Sequence, residues 1–203
     1  MDYWNDIITE KSWETLQKIR KLPISFILIG GWAAYLWTKL HKSKDIDIIV
    51  KNFDDLKYLK ENYDLRKNDR LKKYEIKIED IDIDIYVPYY SNLAIDINEI
   101  SKHTTKIENF SVVSPEALLI LKQGAEKDRE YSVKGTKDRI DIVALLLFSE
   151  INFDKYRELL EKFKLIDFRE RLKKILIGFK VINYLNLNPR EFKLKKEKIL
   201  RNI

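Results

Sequence analysis

The chain has 203 residues, 45% of them hydrophobic and 35% charged, with no cysteine. That allows a core domain with a helical appendage and excludes disulfides, thiolate metal sites and cysteine nucleophiles. The formal net charge is +6, yet residues 151–203 hold 15 Lys and Arg against 7 Asp and Glu while residues 1–150 hold 24 against 26, so the basic excess lies in the last quarter. No apolar run reaches the ~18 residues of a membrane span, and the start, with Asp2, Asp6 and Glu10, is unlike a signal peptide, so a cytoplasmic protein is expected.

Apolar positions at Trp4, Ile7, Ile8, Trp13, Leu16 and Ile19 predict a helix over residues 3–21, closed by Pro23. Ile24 to Ile29 reads as a strand, broken by Gly30 and Gly31 where the backbone turns sharply or comes close to something bulky. Ala33, Leu36, Trp37 and Leu40 recur at three and four, predicting a helix from Trp32 to Leu40 whose first amides face the glycine turn and suit an anion such as phosphate. In Asp45-Ile46-Asp47-Ile48 the period of two puts both carboxylates on one strand face. Adjacent carboxylates repel unless a cation lies between them, and hard oxygen ligands suit Mg²⁺; a solvated strand face gives the same pattern.

A helix is expected from Asp54 to Glu61, then a polar stretch to Arg70. A hairpin follows, with strands Tyr74 to Ile78 and Ile81 to Val87 joined by Glu79 and Asp80, and it carries Asp82 and Asp84 on one face. Tyr89 and Tyr90 suit either a base or acceptor pocket or half-buried packing. His41 and His103 lack neighbouring ligands and read as surface residues. Ile107 to Val113 reads as a strand, and Ser114-Pro115 starts a helix reaching about Glu130 with Leu118, Leu119, Leu121 and Ala125 toward the core. Lys122, among those leucines, either snorkels to solvent or aims at an anion. Gly135 reads as part of a loop before the next helix. There Asp138 and Asp141 share a face, although Asp138 would also suit a helix N-terminus. Helices over Ile151 to Phe163, Phe168 to Tyr184 and Pro189 to Leu200 complete the chain.

The order Gly30, Gly31, helix, Ser43, one residue, Asp45, one residue, Asp47 resembles the signature of the DNA polymerase beta-like nucleotidyltransferase superfamily. Gly-Gly-Trp-Ala at 30–33 resembles its antibiotic nucleotidyltransferase branch, although many members carry Gly-Ser, so Gly31 removes a hydroxyl. Lys122-x-x-Ala125-x-x-x-Arg129 with Lys137-Asp138-x-x-Asp141-Ile142 resembles a second signature, that of the AbiEii-type toxin branch. The resemblance implies an α/β (α+β) fold, with a mixed β-sheet flanked by helices in a catalytic core over residues 1–113. A C-terminal helical bundle over 114–203 would complete the active site and carry a basic surface.

The implied activity moves an NMP from an NTP, ATP for example, to an acceptor hydroxyl and releases pyrophosphate. Mg²⁺, or Mn²⁺, would be held by Asp45, Asp47 and Asp84, the last favoured over Asp82 by its Asp-Ile-Tyr-Val-Pro context. Gly30, Gly31, Ser43 and Lys122 would bind the nucleotide, with Asp138 and Asp141 orienting Lys122 or an acceptor hydroxyl. Toxin-like relatives imply a tRNA, other RNA or protein acceptor and a cognate antitoxin, and the basic last quarter, with Lys193, Lys195 and Lys196, favours RNA. The alternatives are a small antibiotic-like acceptor, or a non-catalytic relative that binds nucleotide or nucleic acid in a toxin-antitoxin pair.

Overall fold

A computed structural model describes residues 6–203, so Trp4 and the start of the expected first helix lie outside the described residues. The chain divides between Ser114 and Pro115 into two compact units. The first is a mixed sheet with helices, and its elements are α1 (Asp6–Ile19), β1 (Phe26–Ile29), α2 (Gly30–Thr38), β2 (Ile46–Val50), α3 (Phe53–Asn62), β3 (Arg66–Asn68), β4 (Lys73–Ile78), β5 (Ile81–Tyr86), α4 (Ile97–Ile100), β6 (Thr104–Ile107) and β7 (Phe110–Val113). The seven strands run in the order β3-β4-β5-β2-β1-β7-β6.

The centre of the sheet is β5, β2 and β1. β2 runs antiparallel to β1 and parallel to β5, in a register that sets Asp47 opposite both Ile29 and Asp84. Burial fixes that register: Ile46, Ile48, Ile83 and Ile85 are all fully buried, and a slip of one residue would turn them to the other face and replace them with aspartates. The Glu79–Asp80 turn between β4 and β5 has φ of 50° and 70° at its two residues, the left-handed pair that a tight two-residue hairpin demands. α1 and α2 are joined through an aromatic cluster in which Trp13 meets Trp32, Tyr35 and Phe110 at ring separations of 5.0, 6.3 and 5.9 Å. Trp32 is fully buried and its indole N–H donates to Ser12 Oγ at 2.9 Å, satisfying the one polar atom it carries inward.

Three expectations for this unit change. The glycine pair does not precede α2 but opens it, Gly30 being its first residue with φ of +66°. Arg66–Asn68, expected as part of a polar connection, forms β3 on the sheet edge, paired through its backbone with β4. The single strand expected over Ile107 to Val113 is the β6–β7 hairpin, turned at Glu108 and Asn109, both left-handed.

The second unit holds α5 (Pro115–Asp128), α6 (Val133–Phe148), α7 (Phe153–Lys162), α8 (Asp167–Gly178), a 3-10 turn at Ile182–Leu185 and α9 (Pro189–Asn202). Side chains start several of these helices. Ser132 Oγ accepts from Gly135 N–H at the head of α6, Asn152 Oδ1 accepts from two amides of α7, and Asn188 with Glu191 forms a capping box on α9. Gly135 therefore lies inside the first turn of α6 instead of in the loop, and a Cβ there would overlap the carbonyl of Arg129. The inward face of α5 also differs from the expected one. Leu121 and Ala125 are only half-buried, while Lys122, Gln123 and Glu126 are buried. The expected Phe168–Tyr184 helix stops at Gly178, and Ile182 falls in the 3-10 turn. Among the described residues no helix is long and apolar enough to cross a membrane.

Candidate active site

The candidate site of the sheet unit grows from one row across the sheet. Successive pairings place Arg66, Glu75, Asp84, Asp47 and Ile29 side by side on β3, β4, β5, β2 and β1. Adjacent strands lie about 4.8 Å apart. Asp47 and Asp84 are therefore neighbours on one face by backbone register alone, whatever their side chains do. Asp45, two residues earlier on the same face, is exposed just ahead of β2, and Asp82 is exposed on β5 opposite Lys77.

Gly30 and Gly31 owe their identity to this row. A Cβ on Gly30 would overlap the Asp47 carboxyl, and one on Gly31 would overlap Ser43 Oγ. Gly30 also has the positive φ that L side chains avoid. Four of the five motif residues thus meet in two pairs: the first turn of α2 is laid on Asp47 and on Ser43, which is 3% exposed. The amides at a helix start carry a partial positive charge that favours a carboxylate beside them. The hydroxyl missing at position 31 follows from the same packing, because Ser43 Oγ stands where that side chain would begin.

Electrostatics separate Asp84 from an ordinary surface acid. Its burial, and next the neighbouring Asp47 charge, push its carboxyl up to about 6, against the opposing pull of Lys73. Lys73 Nζ lies 2.6 Å from Asp84 Oδ2 and 3.0 Å from Glu75 Oε1. Asn68 donates to the same Glu75 oxygen at 3.0 Å. Tyr86, on the same face of β5, points its hydroxyl at Asp47 Oδ1 from 3.5 Å, a weak contact. Lys73, Glu75 and Tyr86 were not legible as site residues, since a lysine and a glutamate on a hairpin normally read as solvated.

Among the described residues no group of three or more His, Cys, Asp or Glu side chains closes around a common metal position. The donor chemistry nevertheless fits a hard divalent ion: two carboxylates are held side by side by register, a third lies on the same face, and Asp84 already holds an ammonium. His41 and His103 are both half-buried, not surface residues, and join no such group. Tyr90 packs at 5.2 Å on Tyr74 with Lys67 over its ring, while Tyr89 is 98% exposed.

In the helical unit, Lys122 neither snorkels nor stands alone. Its Nζ donates to Asp141 Oδ2 at 2.6 Å and lies 3.7 Å from Asp138 Oδ1. Arg129 grips Asp138 with two bonds of 2.6 and 2.9 Å. Both aspartates are buried, so Asp138 is an ion-paired core residue and not a charge on the first turn of α6. A further buried acid, Glu126, binds Arg139 at 2.8 Å and Arg171 at 2.6 Å. Glu126, Arg139 and Arg171 form one wall of a cavity of about 370 Å³ within this unit, with Lys174, Phe179 and Lys180 also in its lining.

Comparison with known proteins follows the same outline. A scan against protein-family models finds no match, and a search of curated proteins finds none. Among solved structures, JHP933 from Helicobacter pylori is 18% identical with a TM-score of 0.55, the match covering 98% of this chain and 92% of that one. ANT(2")-Ia, an antibiotic nucleotidyltransferase solved in complex with adenylyl-2"-tobramycin, is 17% identical with a TM-score of 0.50, covering 77% of this chain and 96% of that one. At such identities the likeness is one of fold. The fold is the nucleotidyltransferase fold, a mixed sheet flanked by helices with a helical C-terminal region.

Proposed function

We propose that the chain is a divalent-metal-dependent nucleotidyltransferase that moves an NMP from an NTP to an acceptor hydroxyl. The observation that carries the reading is the pairing of Asp47 with Asp84 on adjacent parallel strands beneath the Gly30 turn. Asp47 and Asp84, with Asp45 two residues along, would hold Mg²⁺ or Mn²⁺, which would supply charge for the phosphoryl oxygens and the departing pyrophosphate. Gly30 and Gly31 keep the first turn of α2 free of side chains, so backbone amides can face a phosphate, and Ser43 offers its hydroxyl beside them. A divalent ion held by Asp47 and Asp84 would favour loss of the acceptor hydroxyl's proton by stabilising the negative oxygen that remains.

For the acceptor, the basic last quarter supports RNA, with Lys193, Lys195 and Lys196 of α9 as backbone contacts, in a toxin-like enzyme with a cognate antitoxin. A small hydroxylated molecule is the second reading, favoured by the likeness in fold to ANT(2")-Ia. A non-catalytic, nucleotide-binding relative would have no need of crowded acids at Asp47 and Asp84.

The test incubates the protein with each labelled NTP, Mg²⁺ and total RNA, beside an Asp47→Asn control. Label on RNA that disappears in the control supports the enzyme and the RNA acceptor. Label found only on added aminoglycosides supports the second reading, and label in neither mixture counts against catalysis.

A further inference from the structure

Lys73 does something at this site that its sequence position does not suggest. It projects from β4 on the same face as Glu75, its side chain is 11% exposed, and its ammonium bridges Asp84 Oδ2 at 2.6 Å and Glu75 Oε1 at 3.0 Å. Asp84 is itself the register neighbour of Asp47. One ammonium therefore serves two carboxylates, and it can release one while keeping the other.

We propose that Lys73 is the site's internal counter-cation: it holds Asp84 in position in the protein without metal, and an arriving divalent ion displaces it from Asp84 onto Glu75. This rests on the reading of Asp47 and Asp84 as metal ligands. The short bond occupies one of the two oxygens with which Asp84 would hold a metal, and two cations cannot share a carboxylate closely without strong repulsion. A lysine suits the exchange because its charge is compact and its stem has several freely rotating bonds. Glu75 is already engaged by Asn68 and gives the displaced ammonium a fixed partner 3.0 Å away, so the lysine moves without entering water. Lys73 is a positioning residue, acting on the substrate only through Asp84.

The experiment measures Mn²⁺ binding by electron paramagnetic resonance, without nucleotide, together with melting in EDTA and in Mn²⁺. The proteins are wild type, Lys73→Met, Lys73→Gln and Asp84→Asn, plus Lys73→Gln combined with Asp84→Asn. Removing the competing charge is expected to tighten Mn²⁺ binding about tenfold or more, the scale on which a neighbouring charge shifts an ionic equilibrium. The melting temperature in EDTA should fall, and the gain on adding Mn²⁺ should exceed that of wild type. Lys73→Gln retains a donor for Asp84, so it covers the case in which the Met variant fails to fold. In the Asp84→Asn background the Gln substitution should lose its effect. Unchanged or weaker Mn²⁺ binding in a folded neutral variant, with wild type binding and Asp84→Asn not, overturns the role of Lys73 and leaves the metal site standing. Absence of Mn²⁺ binding in wild type overturns both.

Discussion

In the helical unit, Lys122 and Arg129 meet Asp138 and Asp141 charge for charge; in the sheet unit, Lys73 is shared between Asp84 and Glu75. Both clusters are built from acids and a half-buried or buried lysine. The first is closed, with its aspartates 1% and 4% exposed, and gains nothing from another ion. In the second, burial and next the Asp47 charge raise the carboxyl of Asp84. The first cluster is paired within itself, while in the second one ammonium is divided between two acids.

Lys122→Met should break the balanced cluster most severely. It leaves two buried carboxylates with only Arg129, a loss of about 3–5 kcal/mol that denaturant unfolding would register. A stability within about 1 kcal/mol of wild type would erase the contrast between the clusters. Asp47→Asn should do the reverse. Transfer should fall by more than the ~10–100-fold typical of groups that only support metal ligands, while stability at pH 7 holds or rises because a repulsion is relieved.

The pH dependence sharpens the same point. Asp84 keeps its proton in the fold up to about 6, whereas in the unfolded chain it releases it near 4. The folded state therefore binds more protons in that window, so this group's contribution to metal-free stability falls as pH rises from about 4 to 6, by on the order of 2–3 kcal/mol. Thermal melts across pH 4–7 should show that fall in wild type and lose it in Asp84→Asn. Gly30→Ala costs about 1–2 kcal/mol for its left-handed backbone alone and also pushes Asp47 aside, so stability and transfer should drop together. The smallest effect belongs to α9: neutralising Lys193, Lys195 and Lys196 should lower the salt dependence of RNA binding by about one unit of slope for each phosphate that the variant no longer neutralises.

The central hairpin was legible because Ile81, Ile83 and Ile85 alternate with acids and a strand has no other way to bury them. The register sets Asp84, and not Asp82, opposite Asp47. β3 was not legible, because Arg66-Lys67-Asn68 has no apolar alternation and becomes a strand only by pairing with β4. The β6–β7 turn was missed because Glu108 and Asn109 take left-handed conformations without a glycine to announce them. Lys73 could not be assigned, since its meaning lies in Asp84, on the neighbouring strand across a hairpin. Glu126 is a stronger case, with Arg171 45 residues distant. The face of α5 misled for a related reason: Lys122, Gln123 and Glu126 can be buried only because distant partners, the Phe168 carbonyl for Gln123 among them, complete their bonding.

The four buried isoleucines beneath the site carry a consequence for anyone changing this protein. Ile46, Ile48, Ile83 and Ile85 touch no reactant in the proposed chemistry, yet they decide that Asp47 and Asp84 rise from the sheet at the same height and on the same side. Changes that alter the volume of this greasy underside would tilt one strand against the other and detune the acids above without touching them. A search for variants with new acceptors can vary the loops freely, but it should treat these isoleucines as part of the reactive centre's hardware.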